Sequence, residues 1–166
     1  VPTIKDAAYF KNAFNVLQDL IKVGKIKAGH DVGSGGLITT LLELCFADVN
    51  LGANYDLTSL KESDSVKALF NENIAVVFQA DSSVAADFAK AGVEVFKIGS
   101  VVEGNNVTIK NHADAFTFDV TTTRDTWYKT SFLLDSKQTK NGQAKVRFDN
   151  YKNQPLQFTL PTHFTG

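Results

Sequence analysis

The sequence predicts an α/β or α+β layered domain in which a mixed sheet is flanked by helices. Three observations lead to this prediction. Helical patterns alternate with short apolar segments of strand length, and turn signals separate several of the strands. The chain has 166 residues, about the size of one ordinary domain. With 43% hydrophobic residues it has enough apolar side chains for a core.

The first part of the chain predicts a helix, a strand, a glycine-rich turn and a second helix. The first helix covers residues 6–23, where apolar side chains recur on one face, and Gly24 is placed to end it. Residues 25–31 then form a short strand that leads into the turn. From Gly36 the pattern is helical again, and it is so apolar that we expect burial on more than one side.

The second part of the chain predicts alternating strands and helices. Strands are expected at residues 54–58, 74–79, 93–102 and 116–120. Helices are expected at residues 64–70, 82–91 and 122–136. The run at 74–79 is typical of a buried strand, and Ser82 is placed to cap the helix that follows. Gly104-Asn105-Asn106 indicates a hairpin turn, after which residues 107–110 form the returning strand of the hairpin.

Composition and charge exclude several classes of protein. A net charge of −1 argues against a generic nucleic-acid binder, and no apolar run approaches the ~20 residues that span a bilayer, so we expect neither nucleic acid nor membrane as a partner. Cys45 is the only cysteine, which excludes an internal disulfide and fits a reducing, cytoplasmic location. Because the chain has no methionine and begins Val-Pro-Thr, we expect it to be either processed or excised from a longer protein, and we favour excision.

Residues 30–36, with the sequence His-Asp-Val-Gly-Ser-Gly-Gly, are the main candidate for chemistry. Glycines let the backbone turn sharply and approach a ligand, and the start of a helix favours an anion such as phosphate. Asp31, at the end of the strand, is placed to hold Mg²⁺ against that phosphate. Ser34 is placed to add a hydroxyl, and His30 either to donate to the phosphate or to orient Asp31.

A purely structural glycine turn is the alternative interpretation. The segment is not a P-loop, because it lacks Gly-Lys-Ser/Thr, and it is not the dinucleotide fingerprint, because it lacks Gly-x-Gly-x-x-Gly. From the residues alone, ligand binding and a structural role stay equally open.

Four segments resemble one family of enzymes. Residues 28–41, AGHDVGSGGLITTL, are similar to the HDxSDGGL signature of formylglycinamide ribonucleotide amidotransferase (phosphoribosylformylglycinamidine synthase), in the aminoimidazole ribonucleotide synthetase superfamily. Residues 69–72 resemble its LFNE segment, residues 98–102 its IGxV strand, and residues 127–131 its W-x-x-T-S helix. Their common order and spacing make the resemblance fairly specific, and it covers roughly residues 9–136.

The resemblance implies a fold and a place in a longer enzyme. The fold is the C-terminal domain type of the superfamily, a mixed sheet with helices on both sides. In the long form of the enzyme, the best match is the last of four synthetase-half domains, just before the glutaminase domain. We therefore expect one domain over residues 1–136, and a linker or tail over residues 137–166 that leads toward a glutaminase domain.

The resemblance also implies a reaction. The family uses ATP to activate formylglycinamide ribonucleotide, and ammonia released from glutamine then gives formylglycinamidine ribonucleotide. Asp31 is implied as a Mg²⁺ ligand at an ATP or ADP site, which in the long form holds a structural ADP. The candidates for nucleotide and phosphate contacts are His30, Gly33, Ser34, Gly35 and Gly36. No catalytic residue is assigned, and the isolated chain, without the other domains of its parent enzyme, is expected to be inactive.

The sequence departs from the family at the turn itself. Gly33-Ser34 stands where the family has Ser-Asp, so one carboxylate is missing, and the family's RDNP segment is absent after residue 136.

Two alternatives stay open: another enzyme of the superfamily, or a non-catalytic nucleotide-binding or assembly domain. Glu72 either lies near the site or is a junction residue, and we favour the junction. We interpret Cys45 as a buried small hydrophobe, and one cysteine with three scattered histidines argues against a zinc site.

Overall fold

The computed structural model describes residues 3–153 and 162–163, so the remaining residues of the expected tail lie outside it. By its internal contacts the chain divides into two compact units, Val1–Val120 and Thr121–Gly166. The helices are α1 (Ala7–Lys22), α2 (Gly36–Glu43), α3 (Ser65–Leu69), α4 (Val84–Lys90), α5 (Val120–Gln138) and α6 (Gln143–Asn150). The strands are β1 (Ile26–Asp31), β2 (Leu51–Asp56), β3 (Val76–Ala80), β4 (Gly99–Glu103), β5 (Asn106–Asn111) and β6 (Asp114–Asp119).

The first unit contains two sheets. Strands β1 and β3 pair antiparallel in a two-stranded sheet. The second sheet has the order β4-β2-β5-β6, in which β2 and β5 run parallel and the other neighbours antiparallel. The expected mixed sheet with helices is therefore confirmed.

The hairpin predicted at Gly104 is wrong. Strand β2 lies between β4 and β5, so β5 pairs with β2 and not with the strand that precedes it. Gly52 lies where the Asn106 backbone crosses β2, and a Cβ at this position would collide with the Asn106 carbonyl. The tight hairpin joins β5 and β6 through His112 and Ala113, with His112 at a φ of 51°. A local turn signal carries no information about a third strand inserted between the two it connects.

Helix α1 packs with α4 beside the two-stranded sheet. The Asp6 side chain accepts a hydrogen bond from the Tyr9 amide at 2.9 Å, and Gly24 follows the helix at a φ of 71°, which confirms the expected helix end. The buried side chains that join these elements are Leu20, Val84, Phe88 and Val93. Within this cluster the rings of Phe78 and Phe88 stack at 5.4 Å.

Three details of this region differ from the prediction. Ser83, not Ser82, precedes α4, and its side chain makes no capping hydrogen bond. The strand expected over residues 93–102 begins only at Gly99, because the preceding segment carries Val93 into the helical cluster. Strand β3 is not fully buried, since β1 is its only partner strand in the described chain and Val76 is 42% exposed.

Helix α2 carries the main core of the first unit. Its Leu37, Leu41 and the following Cys45 pack among apolar side chains of the four-stranded sheet, and Leu41 is fully buried. The sheet side chains in this cluster are Ala53, Val107 and Ile109. The helix is thereby fixed on the sheet, and the start of α2 is held at a defined position.

The second unit is a helical hairpin built by α5 and α6. Ring pairs connect the two helices and the turn after α6: Phe132 with Phe148 at 4.8 Å, and Tyr128 with Tyr151 at 3.8 Å. Arg147 donates to both carboxylate oxygens of Asp135, at 2.6 and 2.7 Å.

The hairpin changes the description of the segment that was expected to be a linker. Residues 143–150 form a helix there, which the sequence did not reveal because its contacts with α5 are aromatic and ionic and its own apolar periodicity is weak. By contacts the chain divides after Val120, whereas the domain boundary after residue 136 stays a prediction.

Candidate functional site at the glycine turn

The glycine turn lies between the end of β1 and the start of α2. The Val32 amide donates to the Ala75 carbonyl at 2.9 Å, which ties the turn to the segment before β3. Gly35 and Gly36 have φ values of 91° and 77°, a left-handed conformation that side-chain-bearing residues rarely adopt. A Cβ on Gly36 would also lie 2.6 Å from the Phe70 carbonyl carbon. Glycine is therefore required at this position by both conformation and packing.

The amides at the start of α2 are already engaged within the chain. The Gly36 amide donates to the Gly33 carbonyl at 3.0 Å, and the Leu37 amide to the Asn71 carbonyl at 3.1 Å. Among the described residues, by contrast, the amides of Gly33 and Ser34 donate to no protein acceptor, and both residues are exposed. The donors that this turn presents to a ligand are therefore those of Gly33 and Ser34.

Glu72, for which the sequence favoured a junction role over a place near the site, lies at the turn. Its Oε1 accepts a hydrogen bond from the Gly35 amide at 2.8 Å, across a separation of 37 residues. The carboxylate thus lies at the N-terminal start of α2, where the helix dipole favours negative charge. Its position in the LFNE segment was the available signal, but a local pattern does not show that this segment folds back onto the turn.

His30 bridges the end of β1 and the side of α2. Its Nδ1 lies 2.8 Å from the Asp31 carbonyl oxygen, and its Nε2 lies 2.7 Å from Oε2 of Glu43. Thr40 also donates to the Asp31 carbonyl, at 3.1 Å. The backbone of Asp31 is thus held from two sides. This geometry matches the orienting role expected for His30 more closely than direct phosphate contact.

Asp31 presents a carboxylate to solvent. Its side chain is 83% exposed, and its nearest ionisable neighbour is His30 Nδ1 at 3.5 Å. The described residues contain no group of three or more His, Cys, Asp or Glu side chains arranged to hold a metal ion. One free carboxylate fits Mg²⁺ when phosphate oxygens and water complete the coordination, which is how Mg²⁺ usually binds beside nucleotides. The donor set at the turn therefore fits a phosphate-bound magnesium ion and does not fit a protein-only metal cage.

The other residues considered from the sequence lie away from this turn chemistry. Cys45 is buried, and its thiol donates to the Leu41 carbonyl at 3.7 Å. Burial raises the pKa of the Cys45 thiol, and a hydrogen bond with Tyr55 offsets part of that rise. Burial likewise raises the pKa of the Tyr55 hydroxyl well above its usual range. Both observations agree with a structural role for Cys45.

Comparison with known proteins places the fold. Residues 1–111 match the family described as AIR synthase related protein, C-terminal domain. A Thermotoga maritima PurLQS structure aligns with a TM-score of 0.60 and 20% identity, over 71% of this chain and 22% of that chain. The structure of T. maritima PurL complexed with ATP aligns with a TM-score of 0.57 and 21% identity, over 67% and 21%. At such identities the structural likeness shows the fold alone.

Two curated relatives are more similar in sequence. Phosphoribosylformylglycinamidine synthase of Schizosaccharomyces pombe is 33% identical over 159 residues, which cover 90% of this chain and 12% of that protein. The probable phosphoribosylformylglycinamidine synthase, chloroplastic/mitochondrial, of Arabidopsis thaliana is 34% identical over 143 residues, or 82% and 10%. The chain thus spans about a tenth of the length of these relatives.

The fold and the turn define an α/β domain with a strand–glycine turn–helix junction. More particularly, the chain belongs to the AIR synthase related family, as its C-terminal domain, and the resemblance found in the sequence is confirmed. Within the described residues, no helix is both long and apolar enough to cross a membrane. The name of the A. thaliana relative describes that protein as chloroplastic or mitochondrial. The cytoplasmic location of this chain stays a prediction.

Proposed function

We propose that this chain is the nucleotide-site domain of a phosphoribosylformylglycinamidine synthase. That enzyme is the ATP-dependent, glutamine-using ligase that converts formylglycinamide ribonucleotide to formylglycinamidine ribonucleotide in purine biosynthesis. The names of the two curated relatives support the parent enzyme. The T. maritima PurL structures complexed with ATP and with ADP support a nucleotide as ligand.

The observation that carries the proposal is the pair of exposed, unengaged amides at Gly33 and Ser34 beside the exposed carboxylate of Asp31. Two adjacent unengaged amides before a helix suit a phosphate group, because each can donate to a phosphate oxygen and the helix dipole adds favourable potential. Asp31 would hold Mg²⁺, which supplies positive charge to the phosphate oxygens. Neither donor amide depends on the side chain of Ser34.

The expected contacts divide into two sets in this structure. Gly33 and Ser34 would bind phosphate through their backbone amides, and Asp31 would bind the metal. Gly35 and Gly36, also expected as phosphate contacts, would act by conformation, since their own amides are engaged by Glu72 and Gly33. His30 would fix the Asp31 backbone. The chain contributes no catalytic group in this account, and the other domains of the parent enzyme, among them the glutaminase, complete the reaction.

Binding of Mg·ADP to the isolated chain tests this proposal. We expect weak binding, with a Kd in the millimolar range (about −4 kcal/mol), because one domain supplies only part of the site. Asp31→Asn should weaken binding at least about tenfold, since it removes the charge that holds the metal. Asp48→Asn, at an exposed carboxylate after α2, is the matched control and should leave the affinity unchanged. Ligand-observed NMR measures all three, and equal affinities in the three proteins would refute the assignment of Asp31.

A non-catalytic structural domain is the second candidate. It is favoured by the hydrogen bond from the Gly35 amide to Glu72, which satisfies part of the turn without any ligand. The same titration separates the candidates. A structural domain gives no binding, and a stand-alone nucleotide-binding module binds tightly, at micromolar Kd or below. Steady ammonia-dependent turnover by the 166-residue chain would contradict the expectation that it contributes no catalytic group.

A further inference from the structure

The charges beside the glycine turn are unusual for a phosphate site. Glu72 lies on the Gly35 amide at 2.8 Å, one and two residues beyond the unengaged amides of Ser34 and Gly33. Asp31 lies on the other side of those amides in the chain, with its side chain 83% exposed. In the described part of the chain, no Lys or Arg pairs with either carboxylate. The imidazole ring of His30 lies beside Asp31, and its Nε2 is 2.7 Å from the carboxylate of Glu43.

A phosphate at this turn therefore lies beside two carboxylates, and within the described residues neither of them is paired with a Lys or Arg. Many phosphate sites place a Lys or Arg against the phosphate, which supplies the opposite charge directly. The amide dipoles and the helix dipole attract the anion here, but the Glu72 carboxylate already uses the Gly35 amide and adds repulsion. A like charge a few ångströms away in a solvent-exposed site weakens anion binding by about tenfold.

We propose that Glu72 makes phosphate binding at this turn dependent on a divalent cation. The carboxylate keeps the turn formed by holding the Gly35 amide, and its charge disfavours a phosphate that arrives without metal. A magnesium-bound phosphate carries less net negative charge, so the Glu72 carboxylate repels it less. Its magnesium ion also gains the Asp31 carboxylate as a ligand. Glu72 is thus a specificity-determining residue that selects the metal complex of a nucleoside diphosphate over the free anion. This inference rests on the proposed function of the turn.

Glu72→Gln is the informative substitution because it separates the two roles. A glutamine retains a carbonyl oxygen that accepts from the Gly35 amide, and it removes the charge. Glu94→Gln, at an exposed position whose backbone contacts Tyr9, is the matched control. The ¹⁵N-labelled 166-residue chain and both variants are titrated with ADP in excess Mg²⁺ and with ADP in EDTA. The amide shifts of Gly33 and Ser34 report binding, and the shift of the Gly35 amide reports whether the turn stays formed.

The proposal predicts a change in the metal-free titration alone. The affinity of Glu72→Gln for ADP in EDTA should rise about tenfold, and its affinity for Mg·ADP should change less than about threefold. The control should match the original chain in both titrations. If Glu72→Gln binds metal-free ADP no better while Mg·ADP still shifts the Gly33 and Ser34 amides, the inference is overturned and the proposed function stands. If Mg·ADP shifts these amides in none of the proteins, the proposed function fails, and this inference with it.

Discussion

Replacing Gly36 with alanine is expected to lower the free energy of unfolding of the first unit by about 3 kcal/mol or more. Two costs add at this position. An alanine at a φ of 77° carries a conformational penalty of ~1–2 kcal/mol. Its Cβ would also lie 2.6 and 2.7 Å from the carbonyl carbon and Cα of Phe70, which are backbone atoms and do not rotate away. The helix must therefore shift from the segment that carries Asn71 and Glu72.

Gly92→Ala is the matched control for this experiment. Gly92 has a φ of 68°, and a Cβ there meets no atom within 4 Å, so only the conformational penalty of ~1–2 kcal/mol applies. Urea unfolding of the three proteins measures both effects. Equal losses for the two variants would show that the close approach of Phe70 to the turn is not present in solution.

Leu41→Ala should destabilise the first unit by about 3 kcal/mol, within the range of 2.7–5.0 kcal/mol seen for buried leucines elsewhere. Leu41 is fully buried in the cluster that joins α2 to the four-stranded sheet. Truncation removes apolar contacts with the strands and leaves a cavity that the fixed sheet cannot close. The same helix positions the glycine turn, so we expect Mg·ADP binding to weaken together with stability.

Val66→Ala provides the comparison on the surface. Val66 is 67% exposed on α3, in the same unit, and its truncation should change the free energy of unfolding by no more than ~0.5 kcal/mol. Denaturant melts followed by circular dichroism measure both variants. A loss below about 1 kcal/mol for Leu41→Ala would mean that α2 is not anchored on the sheet as described.

The elements that local sequence specifies were predictable. The apolar face of α1 and Gly24 predict a helix from patterns within a few residues, and the structure agrees within one residue at each end. Likewise the succession of β1, the turn and α2 follows from an apolar strand, glycines and a second apolar run. Strand pairing was not predictable, because β2 enters between β4 and β5 through contacts distant in sequence.

In the candidate site, too, features set by local sequence were predictable and contacts between distant residues were not. Asp31 and the turn glycines are local features, and the positive φ values of Gly35 and Gly36 agree with the sharp turn that the glycines predicted. The hydrogen bond from Gly35 to Glu72 joins residues 37 apart, so only the folded chain reveals it. The same fold engages the Gly36 and Leu37 amides and leaves those of Gly33 and Ser34 for a ligand. The motif therefore indicated the candidate site, but it did not show which of the turn amides are unengaged.

We expect phosphate to bind to the Gly33 and Ser34 amides, and NMR chemical shifts of the turn amides measure this binding residue by residue. The ¹⁵N-labelled chain is titrated with Mg·ADP, and the amide shifts of residues 33–37 are compared. We predict that Gly33 and Ser34 shift most, in proportion to saturation, while Gly35, Gly36 and Leu37 change little because they keep their partners within the chain. Saturable shifts confined to residues outside this turn would show that the phosphate does not bind to the Gly33 and Ser34 amides.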